Sequence, residues 1–75
     1  MTKEQIREYL IDYAVDQMTK FFMDDHHVGI AEALDVIYNS NTYAKLTDAE
    51  GELYVQSPAY VYEILDEEYR FGRGN

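Results

Sequence analysis

The stretch Gly29–Tyr38, GIAEALDVIY, limits the possible folds more than any other part of the chain. Ile30, Ala31, Ala33, Leu34, Val36, Ile37 and Tyr38 are apolar. At helical spacing they cover an arc of roughly 220°, leaving Glu32 and Asp35 on the remaining side. A surface helix carries a narrower apolar stripe. The pattern therefore predicts a central helix with neighbours packed on more than one side.

The segment before it reads as a long helix over residues 3–24. Thr2 followed by Gln5 matches a capping box, in which each side chain satisfies a free backbone N–H of the other residue. Ile6, Tyr9, Leu10, Tyr13, Ala14, Gln17 and Phe21 recur at i, i+3, i+4 and i+7, so they are expected to form its buried face. Glu4 and Glu8, then Asp12 and Asp16, repeat a like charge at i, i+4. Surface pairing therefore does not hold this helix, and packing must. Val15, Met18 and Phe22 form a second apolar line pointing roughly the other way. Either another helix of the chain covers this line, or it is a self-association or partner surface, where Met and aromatic residues are enriched.

Asp24-Asp25-His26-His27 is expected to close the first helix and open the second. Imidazoles suit a helix C-terminus and Asp25 suits an N-cap. Carboxylates beside imidazoles also raise a metal reading, but adjacent residues point in different directions and there is no third His. The second helix is predicted over 28–39, closed by Asn39-Ser40-Asn41. Thr42 or Asn41 then caps a short helix over 43–48, with Tyr43, Leu46 and Ala44 candidates to face inward. Residues 47–51 form a turn cluster. Residues 52–56 read as an extended linker, with a hairpin between 43–46 and 53–56 as the alternative. Ser57 as N-cap and Pro58 at the first position start a last helix over 58–71. Gly72 suits its left-handed C-terminal residue, and Arg70 and Arg73 suit the negative end of its dipole. Val61, Ile64, Leu65 and Tyr69 form its inner stripe. Glu68 falls within that stripe and is read as reaching solvent, or as a partner for an arginine of another protein. The terminus from Gly72 to Asn75 is expected to fray. The fold class is all-α: a small three- to four-helix bundle in one domain, residues 1–75.

A chain of 75 residues buries only about 60% of its unfolded surface, so regular helix packing must supply its stability. It has no cysteine, which removes disulfides, thiolate zinc sites and thiol catalysis. The formal net charge is −9, spread over the whole length without a basic cluster. Direct binding to nucleic acid or to an anionic membrane is accordingly disfavoured. No apolar run is long enough to span a membrane and no signal peptide is evident, so a cytoplasmic protein is expected. There is no Gly-rich phosphate loop, no GxSxG and no HExxH. So small a bundle also has little room for a pocket on the usual scale of about 300 Å³. Neither enzyme activity nor a cofactor or metal is expected. Tyrosine is in surplus, at eight residues. Tyr54, Tyr60 and Tyr62, around Ser57-Pro58, are candidates for a binding surface.

Ala33-Leu34-Asp35-Val36-Ile37-Tyr38-Asn39-Ser40, Thr42-Tyr43, Leu53-Tyr54 and Ser57-Pro58-Ala59-Tyr60-Val61-Tyr62-Glu63 together resemble a family of short bacterial proteins of unknown function. Related small families are often encoded beside ADP-ribosyltransferase-like or other toxin-type genes, which implies an antitoxin-like or accessory role. The expected function is a helical protein–protein interaction module, working as a homodimer or with a protein partner. Its candidate contact residues are Val15, Met18, Phe22, Tyr54, Tyr60 and Tyr62. The alternative is a DNA-associated helical transcription regulator. Against it, the central helix offers Glu32 and Asp35 where basic and amide side chains would be needed.

Overall fold

The structure, a computed structural model, describes residues 1–72. Arg73 and the terminus beyond Gly72 lie outside the described residues. The chain forms α1 (Lys3–His26), α2 (Ile30–Tyr38), α3 (Asn41–Leu46) and α4 (Pro58–Phe71). The fold is all-α, as predicted, with no strand among the described residues. Leu53–Val55 is a single 3-10 turn, which replaces both the expected extended linker and the hairpin alternative. A hairpin is impossible because its first arm belongs to α3.

Local chemistry sets most boundaries. Thr2 Oγ1 accepts from the Gln5 N–H at 3.1 Å, and Gln5 Oε1 accepts from the Thr2 N–H at 2.9 Å, completing the capping box. Ser57 accepts from the Tyr60 N–H at 3.2 Å, with Pro58 in the first turn. Three expected helix ends differ. Asp25 is not an N-cap: α1 continues to His26 and closes at His27 in the left-handed conformation, and Gly29 precedes α2. Asn39 does close α2 as expected, its side chain donating to the Asp35 carbonyl at 2.8 Å. Ser40, rather than Asn41 or Thr42, caps α3, accepting from the Tyr43 N–H at 3.0 Å. Gly72 has a positive φ of 88°, but its ψ of 149° is extended and not left-handed helical.

The centre of the molecule is α1, not α2. Twenty-four helical residues reach about 36 Å, matching the 37 Å long dimension of the fold. Along this rod dock α2, the 3-10 turn and α4, while α3 packs on α4. By contrast, α2 buries only Ala33 and Ile37 and leaves Ile30 and Tyr38 exposed. The physical reason is supply. A chain this short has too few helices to surround a nine-residue one, and α1 alone is long enough for the others to share.

The second apolar line of α1 is covered by other helices of the chain, the first of its two expected readings, while much of the first face is left outside. Val15, Met18 and Phe22, with Ile11 and Ala14, form the α1 side of the core, and Met18 and Phe22 are fully buried. They meet Ala33 and Ile37 of α2, Leu46 of α3, and Val61, Tyr62 and Leu65 of α4. Ile6, Tyr9 and Tyr13, expected inside, face solvent. Thr19 interrupts the true core face in the sequence. Its hydroxyl donates to the Val15 carbonyl at 2.7 Å, so it is buried without an unmet hydrogen bond.

Side chains from α1 and α4 hold α3 and the loop after it. The Arg7 guanidinium donates to the Thr47 carbonyl, pairs with Glu4 at 3.0 Å and lies 5.9 Å from the Tyr54 ring centroid. Glu68 neither reaches out to solvent nor waits for a partner arginine. Its carboxylate accepts from the Asn41 N–H at 2.8 Å, the Thr42 N–H at 2.9 Å and the Thr42 hydroxyl at 2.7 Å. Thr42 is buried at that contact. Of the predicted inward residues of α3, Leu46 is fully buried, Tyr43 is half-buried and Ala44 is exposed.

Candidate interaction surface

Two apolar strips remain outside the core once these helices have packed. On α1, Ile6, Tyr9 and Tyr13 are 44%, 62% and 46% exposed. The Tyr9 and Tyr13 rings lie nearly parallel, 6.5 Å apart. On α2, Ile30, Leu34 and Tyr38 recur at i, i+4 and i+8 and form a second row, with Ile30 59% and Tyr38 51% exposed. Tyr38 meets Tyr43 of α3 edge-on at 5.0 Å.

Between α1 and α2 runs an open groove of about 340 Å³. Ile11, Val15 and Thr19 line it from α1, Ile30, Leu34 and Tyr38 from α2, and Tyr43 from α3. Asp12 and Asp16 supply its acidic edge. Helical spacing puts Glu8 on the same ridge, and puts Tyr9 and Tyr13 beyond the aspartates, further round α1. A carboxylate ridge therefore separates the two apolar strips. Asp16 pairs with Lys20 at 3.4 Å, both side chains exposed, a contact worth little. Among the described residues, Glu8 and Asp12 have no ion-pair partner.

A second depression of about 510 Å³ lies where the 49–54 loop crosses the start of α1, lined by Thr2, Glu4, Arg7, Gly51, Glu52 and Tyr54. Both depressions exceed the size for which the sequence reading left room. Both are open grooves. Among the described residues, no three His, Asp or Glu side chains are grouped closely enough to hold a metal ion. The imidazole of His26 is engaged otherwise: Nε2 lies 3.0 Å from Asp66 Oδ1, and the ring packs against Phe22 and Tyr69. Asp66 is in turn held by Arg70 at 3.1 Å.

The six residues expected to contact a partner do not share a surface. Val15, Met18 and Phe22 belong to the core, so they are corrected to structural positions; only Val15, 8% exposed, also edges the groove. Tyr54 is half-buried beneath Arg7. Tyr62 is turned inward, its ring 5.4 Å from Phe21 and its hydroxyl donating to Asp25 Oδ2 at 2.6 Å. Tyr60 alone is exposed, at 50%. Two residues apart on a helix means directions roughly 160° apart, so Tyr60 and Tyr62 cannot act together. The residues missed were Tyr9, Tyr13, Ile30, Leu34, Tyr38 and the Asp12–Asp16 pair. Two signals for them were visible: an apolar arc on α2 wider than a small fold can cover, and the acidic repeat on α1.

Burial pushes the Tyr62 hydroxyl well above the ordinary tyrosine range, helped by its hydrogen bond to Asp25 and by the charges of Asp66 and Asp25, with Arg70 opposing. An unfolded tyrosine releases its proton near pH 10, whereas the folded one holds it to higher pH. The unfolded state therefore binds fewer protons above that point, and stability falls as pH rises. Urea unfolding across roughly pH 9–11.5 should show Tyr62→Phe losing less stability per pH unit than wild type, by up to about 1.4 kcal/mol. Parallel pH profiles for the two proteins would refute this.

No protein family, curated protein or solved structure matches this chain. Among the described residues, no helix is long and apolar enough to cross a membrane.

Proposed function

We propose that the chain is a small protein-interaction module that docks a protein partner through the α1–α2 face. The observation that carries this reading is the pair of exposed apolar strips flanking the Asp12–Asp16 ridge, on a fold that already has a closed core. Exposed aromatic and aliphatic side chains rimmed by charge mark contact surfaces, and tyrosine is among the residues that anchor them. The absence of cysteine suits a reducing cytoplasmic setting. An antitoxin-like or accessory role beside a toxin-type protein, implied by the family resemblance, would be one use of such a module. The DNA-regulator alternative gains nothing from the fold. The exposed charges of α2 are Glu32 and Asp35, which would face phosphates with the wrong sign.

The test is affinity purification of the tagged chain from its native host, with nuclease treatment and mass spectrometry. A stoichiometric protein partner is expected with wild type and with the Tyr60→Lys control, and is expected to be lost with Tyr13→Lys plus Tyr38→Lys. Recovery of the chain alone, or a partner indifferent to the double substitution, would reject the reading.

A further inference from the structure

The α1–α2 groove also constrains the chemistry of its occupant. Resting on the docking role proposed above, we infer that the groove takes a cationic amphipathic helix from another protein, and not a second copy of this chain. Ile30, Leu34 and Tyr38 form a row about 12 Å long, close to two helical turns. A helix laid into such a groove presents apolar anchors at i, i+3 or i+4, and i+7. Ile11 and Val15 are almost fully covered already. The new apolar contact therefore comes mainly from Ile30, Leu34 and Tyr38, which makes the groove shallow and suited to a narrow rod.

Charge selects among possible rods. Asp12 and Asp16 stand about 6 Å apart along α1, with Glu8 continuing the line. Like charges at this spacing mildly disfavour their own helix, and cationic side chains flanking the apolar anchors of a docked helix would relieve that. Among the described residues, only Lys20 does so internally, at Asp16. A second copy would bring the opposite arrangement. A two-fold contact through this groove sets one Asp12–Asp16 ridge near the other, in two chains each carrying −9. Such like-charge juxtaposition is how interfaces reject a wrong partner.

The probe is a synthetic helical peptide of about five turns with leucines at i, i+4 and i+7 and lysine or arginine on the flanks. One control peptide has the same composition scrambled so that the stripe is lost; another keeps the stripe and replaces every cation with glutamate. Titration is followed by calorimetry and by backbone amide shifts. The cationic striped peptide should bind one-to-one, with shifts concentrated at residues 11–19 and 30–43, and weaken about tenfold when salt shortens the screening length. Asp12→Asn plus Asp16→Asn, both on the exposed helix surface, should weaken it about tenfold. Leu34→Gln should do the same, provided its helical circular dichroism matches wild type. Equal binding by the scrambled or the glutamate peptide would overturn the inference, as would shifts on another face. So would a wild-type dimer in sedimentation equilibrium that Leu34→Gln dissociates. A native partner that depends on Tyr13 and Tyr38, with no binding of the cationic peptide, sinks this inference and leaves the docking face standing. Loss of both sinks the docking face itself.

Discussion

Phe22→Glu is expected to abolish the cooperative fold. Phe22 is fully buried in α1, with the Tyr69 ring edge-on at 4.9 Å and the His26 ring at 4.3 Å. Truncation to alanine alone would remove about 3–5 kcal/mol. A domain of this length holds roughly 4–11 kcal/mol in total. Glutamate adds an ionised carboxylate with no partner inside the core, which pushes the cost beyond that reserve. Far-ultraviolet circular dichroism should lose its helical signal, and the sedimentation coefficient should fall to that of an expanded chain. A variant that kept its helical spectrum and changed only its association state would place Phe22 at an interface, against the burial described above.

Glu68→Ala should have the second-largest effect. It removes one acceptor group from three donors at the start of α3: two backbone N–H groups and a hydroxyl on the buried Thr42. A buried donor left unmet costs more than the hydrogen bond was worth, and here a carboxylate also faces the positive end of a helix. A loss of about 2–3 kcal/mol is expected from urea unfolding. Glu68→Gln keeps an acceptor oxygen and loses the charge, so about half that loss should remain. A Glu68→Ala midpoint equal to wild type would show that water replaces the carboxylate at no cost.

What was legible in the sequence follows from the range of the interaction that decides it. Thr2 with Gln5, and Ser57 with Pro58, act within one helical turn, and both helix starts were read correctly. The inward face of α1 depends on what arrives from 20 to 50 residues away. Both faces carry comparable apolar content, Thr19 disguises the true one, and tyrosine suits core edge and wet surface equally well. Glu68 was misread for the same reason. Its partners lie 26 and 27 residues earlier, and nothing near it in the chain announces them. The acidic repeat at Asp12 and Asp16 was seen, but only as a strain on its own helix. It becomes the edge of a groove only after α2 has docked beside it.

The short helix α3 carries one more consequence, for where its stability comes from. It has six residues, far below the 12–15 that an isolated helix needs in water. An anion from α4 sits at its first N–H groups, and a cation from α1 sits at the carbonyl of Thr47, the residue that follows its last turn, each matching the local sign of the backbone dipole. Those two side chains, Glu68 and Arg7, stand near opposite ends of the sequence. A helix of this length is marginal by itself and relies on such contacts from the rest of the fold. So α3 owes its place to contacts made by α1 and α4, and not to its own helical propensity.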